Sequence, residues 1–193
     1  MYGRLLTNSI FFLALTAFDY ILANQTQQAG CPRCGGRCDR ADYPRKPRGG
    51  PPDLGPDYDK RRSFCCAKDG CRKRVTPFSV RFLGRRIYLG AVVVLATVLA
   101  HGLTGKRLFQ LREQISSTLS AKTIDRWRHW WQETFPRTAF WKGNKARFKS
   151  PVDIARLPTS LLDRFSGDGI GHRVRRLLEF LLPLTSSLSE EPK

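Results

Sequence analysis

Acidic residues are scarce in this chain of 193 residues: 16 Asp and Glu stand against 34 Lys and Arg, for a net charge of +18. A polycation of this kind attracts polyanions, nucleic acid first and an anionic membrane surface second. The imbalance is not confined to a tail, because Arg72 to Ser150 holds seventeen bases and only three acids, Glu113, Asp125 and Glu133. Several catalytic signatures are missing as well. There is no P-loop, no glycine-rich dinucleotide fingerprint and no H-E-x-x-H. The three histidines, His101, His129 and His172, stand far apart without metal-ligand spacing. The "GDGIG" run at Gly167 to Gly171 lacks a preceding strand and reads as a turn before a helix. Asp153, Asp163 and Asp168 read as helix caps and loop solvation rather than as a convergent acidic site.

Long apolar runs are lacking too. The longest, Ile87 to Leu103, counts 17 residues including His101, short of the ~20 that a membrane span needs, so a buried core helix is expected. A span there is the rival reading. Arg85 and Arg86 before the run and Lys106 and Arg107 after it leave the charge rule for orientation without a direction. The N-terminus carries a shorter apolar stretch, Ile10 to Phe18, that imitates a secretory signal but is interrupted by Asp19. It also reads as an amphipathic helix with Phe11, Leu15, Phe18 and Leu22 inward.

Asp39 to Asp59 contains five prolines and three glycines, and so forms a loop rather than a helix or a central strand. Beyond Val75 the pattern becomes helical: Ile87 to His101, Lys106 to Ser116, and Ser120 to about Glu133. The stretch from Phe135 mixes aromatics and bases without a clean period. A short helix near Pro158 to Phe165 follows, then an amphipathic one from His172 to Leu182 with Val174, Leu177, Leu178 and Leu181 on one stripe.

Six cysteines flank the proline-rich loop. Cys31-x2-Cys34 and Cys66-x4-Cys71 have the spacing of two tight turns that together offer four thiolates, the form of a zinc ribbon with structural Zn2+. Four thiolates close the coordination sphere, which leaves no place for a catalytic water. Cys65 is a possible substitute for Cys66, and Cys38 has no evident partner. Three disulfides are the competing reading if the N-terminus is a true signal.

In "KRLFQLREQISSTLSAKTIDRWRHWWQETF" a helix with Leu108, Leu111 and Ile115 inward meets a polar turn. A second helix then opens at Ser120, an N-cap residue, with Ile124, Trp127 and Trp131 inward. This organisation is that of a helix-turn-helix. Lys122, Thr123, Arg126 and His129 are expected outward, with Arg128 at the rim, as a DNA-binding set able to pair phosphates and read base edges.

The motifs "CPRCGG", "FCCAKDGCRKR", "RFLGRRIYLGAVVVL" and "SAKTIDRWRHWW" together resemble the zinc-ribbon plus helix-turn-helix region of bacterial insertion-sequence transposases. From about Cys31 to Phe165 the chain is more closely similar to a group of small bacterial proteins sharing "RADYPRKPRG" and "FLGRR", a likeness that brings no activity with it. The transposase resemblance implies DNA binding without strand transfer, since only about sixty residues follow the second helix.

The expected fold is mainly α with a small β zinc ribbon, an N-terminal zinc-binding module followed by a helix-turn-helix-like helical core. The expected segments are an N-terminal helix or signal-like stretch over 1–30 and a zinc ribbon with its Pro/Gly-rich loop over 31–80. A helix-turn-helix-like domain over 81–134 and a basic aromatic linker with C-terminal helices over 135–193 complete the chain. The expected function is non-catalytic binding of duplex DNA in the cytoplasm, mobile-element-associated or regulatory. RNA binding and membrane anchoring are the alternatives.

Overall fold

The structure, a computed structural model, describes residues 2–45, 48–52, 54–83, 89–99, 104–115 and 119–185. A short helix α1 (Tyr2–Leu6) leads into the long α2 (Ser9–Ala29), which Asn8 opens by accepting the Phe11 N–H at 3.0 Å. Among the described residues five short strands follow: β1 (Cys38–Arg40), β2 (Tyr43–Pro44), β3 (Lys60–Arg61), β4 (Phe64–Cys66) and β5 (Arg74–Val75). They form an antiparallel sheet in the order β1-β4-β5 and a separate β2-β3 ladder. The rest is helical: α3 (Gly90–Leu99), α4 (Gly105–Ile115), α5 (Ala121–His129), a π-helical turn (Trp130–Thr134), α6 (Phe135–Arg137), α7 (Ala139–Asn144), α8 (Thr159–Leu162) and α9 (Ile170–Phe180).

Helix α3 is apolar on every side because it is buried on every side. Gly90 to Val98 are all shielded from solvent, and α1, α4, α5 and α9 pack around them. At ten residues it rises ~15 Å, about half the hydrocarbon thickness of a bilayer. Among the described residues no helix is long and apolar enough to cross a membrane. Ile87, Tyr88 and residues 100–103 of the apolar run lie outside the described residues, as do 116–118 of the turn before Leu119.

The main core draws on Leu5, Phe12 and Leu15 from the N-terminal helices, Leu54 and Tyr58 from the proline-rich loop, and α3, α5, α8 and α9. It therefore reaches across the segment boundaries expected at 30, 80 and 134. The loop docks on this core through Gly49, where a Cβ would lie 2.9 Å from both Val92 methyl carbons, so only glycine allows the backbone that close.

Helix α2 turns a different face inward from the one its periodicity suggests. Phe12, Leu15, Thr16, Asp19 and Ala23 are buried, whereas Phe11, Phe18 and Leu22 are half-buried. The reason is Asp19. Its carboxylate accepts from Arg81 Nε at 2.8 Å, Ser79 Oγ at 2.7 Å and the Val80 N–H at 2.8 Å, and both charged side chains are almost wholly enclosed. The residue that interrupts the apolar run is thus the one that docks the helix.

The aromatic-rich stretch after α5 forms a packed cluster. Trp131 meets Phe135 at 5.3 Å between ring centroids, Phe135 meets Trp141 at 5.1 Å, and Phe148 meets Phe180 at 5.5 Å. These contacts join separate short elements, so no single helical period could report them. At the start of α5, Ser120 Oγ accepts the Thr123 N–H at 3.1 Å. Ser120→Ala should cost about 1 kcal/mol, read as a lower denaturation midpoint at unchanged m-value.

Candidate metal centre

The cysteine cluster begins where α2 stops. Gly30 ends the helix, and Cys31 and Cys34 then form a tight turn in which the Cys31 carbonyl accepts from the Gly35 N–H at 2.8 Å and the Cys34 N–H at 3.3 Å. The second turn, after β4, is closed by the Cys71 N–H donating to the Lys68 carbonyl at 3.1 Å. Pairing of Cys38 with Cys66 across β1 and β4, and of Phe64 with Val75 across β4 and β5, holds the two turns face to face. An N–H from Ala67 to the Arg37 carbonyl, 2.9 Å, crosses directly between them.

The four sulfurs of Cys31, Cys34, Cys66 and Cys71 all lie within 4.8 Å of one another, with Cys31 to Cys71 at 3.7 Å and Cys34 to Cys66 at 3.5 Å. These separations are far beyond the ~2.05 Å of a disulfide, and all six cysteines are unbridged. They are close to the edge of a tetrahedron of thiolates around a small divalent cation, since a metal–sulfur bond of ~2.3 Å puts neighbouring sulfurs ~3.8 Å apart. The four thiols can therefore hold a metal ion. Gly36 makes room for them: a Cβ there would stand 3.3 Å from both the Cys34 and Cys66 sulfurs.

Local electrostatics divide the four. The Arg33 N–H, helped by the neighbouring N–H and thiol donors, brings Cys31 down to about 7 despite its burial. At Cys66 the Lys68 N–H favours the thiolate, but burial and the crowding thiols of Cys34, Cys71 and Cys31 outweigh it and push the group up to about 12. Without a cation the cluster starts to ionise at Cys31 and keeps its proton at Cys66. A bound divalent ion would offset two of the four thiolate charges and favour ionisation of all four.

The two remaining cysteines stand apart from this set. Strand alternation sends Cys65 to the opposite face from Cys66, and its thiol donates to the Arg72 carbonyl at 3.4 Å. Cys38 is buried beneath the first turn with Ala23, Phe64 and Val75, and burial pushes its thiol up, so it serves as a small apolar side chain.

The expected DNA-binding set is only partly brought to the surface. Lys122, Arg126 and His129 are exposed on α5, and Arg128 is half-exposed with Asp125 at 4.0 Å. Thr123 departs from expectation, because it is buried. Its hydroxyl lies 3.0 Å from Ser120 Oγ and accepts from Arg126 at 3.2 Å, which places it on the same stripe as Ile124, Trp127 and Trp131. At the third position of a capped helix the side chain turns toward the cap rather than outward. The three tail aspartates are dispersed: Asp153 caps the Ala155 N–H at 3.0 Å, Asp163 pairs with Arg173 at 2.6 Å, and Asp168 is exposed.

No protein-family model, no curated protein and no solved structure matches this chain.

Proposed function

We propose that this protein is a non-catalytic, cytoplasmic nucleic-acid-binding protein, mobile-element-associated or regulatory, with duplex DNA as its partner and a structural Zn2+ held by Cys31, Cys34, Cys66 and Cys71. The observation that carries the DNA reading is the outer face of α5. Lys122, Arg126 and His129 stand exposed opposite the buried Ile124 and Trp127 in a chain of net charge +18. Helices α4 and α5 both rest on α3, which supports a helix-turn-helix arrangement with α5 as the groove-entering helix. For the metal, four thiolates at near-tetrahedral spacing favour Zn2+ among common divalent ions, and its role is to tie the proline-rich loop to the sheet. Six unbridged cysteines favour a reducing compartment.

In this reading phosphate contacts supply most of the affinity, and α5 supplies sequence preference. Fluorescence anisotropy with labelled duplex DNA over a salt series tests it. Log affinity should fall linearly with log salt, and Lys122→Ala and Arg126→Ala should each lower the slope by about 1 without loss of metal. An absence of binding at low salt, or binding indifferent to salt, overturns the reading. Stronger binding of single-stranded RNA than of duplex DNA would move the partner to RNA.

A further inference from the structure

Helix α2 has a second apolar face, turned to solvent. Ile10, Ala14, Ala17, Ile21, Asn24 and Gln28 are all exposed, and they recur at intervals of four, three, four, three and four residues. That alternation is the 3.5-residue period of a two-helix seam, separate from the buried stripe of Phe12, Leu15, Asp19 and Ala23. Ile10 is 80% exposed, Ile21 52% and the flanking Leu13 47%, so that among the described residues this helix carries three of the five large hydrophobic side chains left in solvent. Such a concentration calls for a covering partner.

The charge distribution says which partner. The 21-residue helix contains no Lys, Arg or Glu, and its single charged residue, Asp19, is consumed by Arg81 in the interior. Elsewhere a net charge of +18 makes one molecule repel another. A face free of charge meets its own copy without that penalty. It is also self-complementary, as a two-fold contact requires: in a parallel pair each position meets its own counterpart, isoleucine with isoleucine and alanine with alanine, and the Asn24 and Gln28 amides, which carry donors and acceptors, meet the same amides of a second molecule. A polar Asn within an otherwise apolar seam is a known means of setting register. Along one flank, a groove of about 580 Å³ between α2 and α9 is lined by Phe11, Phe18, Asp168, His172 and Arg175. The Arg175 charge is met by Glu179 at 2.8 Å, so this border adds little repulsion.

We infer that this protein forms a two-fold dimer in which the α2 helices of two copies pair along Ile10, Ala14, Ala17, Ile21, Asn24 and Gln28. The inference stands on the exposed seam and its lack of charge, and does not depend on nucleic-acid binding.

Sedimentation equilibrium of the full, metal-loaded chain over a protein concentration series is the test. It is best run near 1 M salt, where the Debye length of roughly 3 Å removes general repulsion. The expected result is a concentration-dependent shift from 22.0 kDa to twice that mass. Ala17→Glu and Ala17→Lys, which place like charges opposite each other whichever sign is used, should each weaken the dimer by about tenfold or more. Metal content and circular dichroism should stay unchanged, because position 17 is exposed in the monomer. Ala146→Glu, at an exposed position on another element, should leave the dimer intact. A 22.0 kDa species at every concentration overturns the inference, as does a dimer that tolerates both charges at position 17. A monomer that instead co-floats with lipid vesicles assigns the face to a membrane surface and overturns it equally.

Discussion

Cys66→Ser should abolish stoichiometric metal binding and unfold the segment from Cys31 to Val75, while Cys65→Ser and Cys38→Ser should keep the metal. The module has too little apolar material to order itself. Its own core is Ala23, Cys31, Cys38, Phe64, Cys66 and Val75, and half of those six residues are cysteines. Structural zinc supplies ~10–16 kcal/mol in finger peptides, far more than so small a core offers. Disturbing only the surroundings of a metal ligand commonly costs ~10–100-fold in affinity, so deleting a ligand should cost at least about 100-fold. Metal analysis of the purified variants gives the stoichiometry, and limited proteolysis reports the segment. Full metal content in Cys66→Ser would exclude this ligand set.

The same site fixes the sign of a pH effect. Ligation needs thiolates, and Cys66, held up at about 12, must surrender its proton to the incoming ion at any ordinary pH. Cys31, already down at about 7, is mostly ionised above neutrality. Affinity should therefore fall as pH drops, and fall more steeply below about 7, where Cys31 also protonates.

Asp19→Ala should cost about 3–5 kcal/mol of stability, since it leaves the Arg81 guanidinium enclosed without its counter-charge. The Arg81 side chain is a three-way tie: Nε to Asp19 in α2, one terminal nitrogen to the Tyr58 carbonyl at 2.8 Å, and the other to the Lys60 carbonyl at 3.1 Å. Loss of the carboxylate also orphans the Ser79 hydroxyl and the Val80 N–H, which it accepts from directly. The double variant Asp19→Ala with Arg81→Met should lose less than the sum of the two single changes, because removing both charges together leaves no uncompensated ion. Denaturant titration at constant m-value measures each cost. A penalty under about 1 kcal/mol for Asp19→Ala would show that water reaches the pair and that it does not anchor the helix.

Much of the four-cysteine cluster was legible because its determinants are local. Two cysteines separated by two or four residues, with Gly35 and Gly36 or the Asp69-Gly70 turn beside them, define each turn before any long-range contact exists. The stripes of Ile124, Trp127 and Trp131, and of Val174, Leu177, Leu178 and Leu181, were legible for the same reason, as helical spacing written within one segment. The x4 spacing to Cys71 put Cys66 in the set with Cys65 as a substitute, and the Cys66 sulfur is the one that lies in the cluster. Strand alternation makes Cys65 and Cys66 exclusive choices, and the pairing of Cys38 with Cys66 is the register that turns Cys66 to the cluster.

The sequence by itself determined the charge of the protein, its two cysteine turns and the apolar stripes of its later helices, because these depend on composition and short-range periodicity. Only the tertiary structure decided the inward face of α2, the burial of Thr123 and the aromatic cluster after α5. Each of these turns on a partner distant in the chain or in another element. Asp19 read alone is a polar break in an apolar run, but enclosed with Arg81, sixty-two positions away, it becomes the residue that seats the helix. A charge can be buried only when its counter-charge is brought to it, and that meeting is a property of the fold.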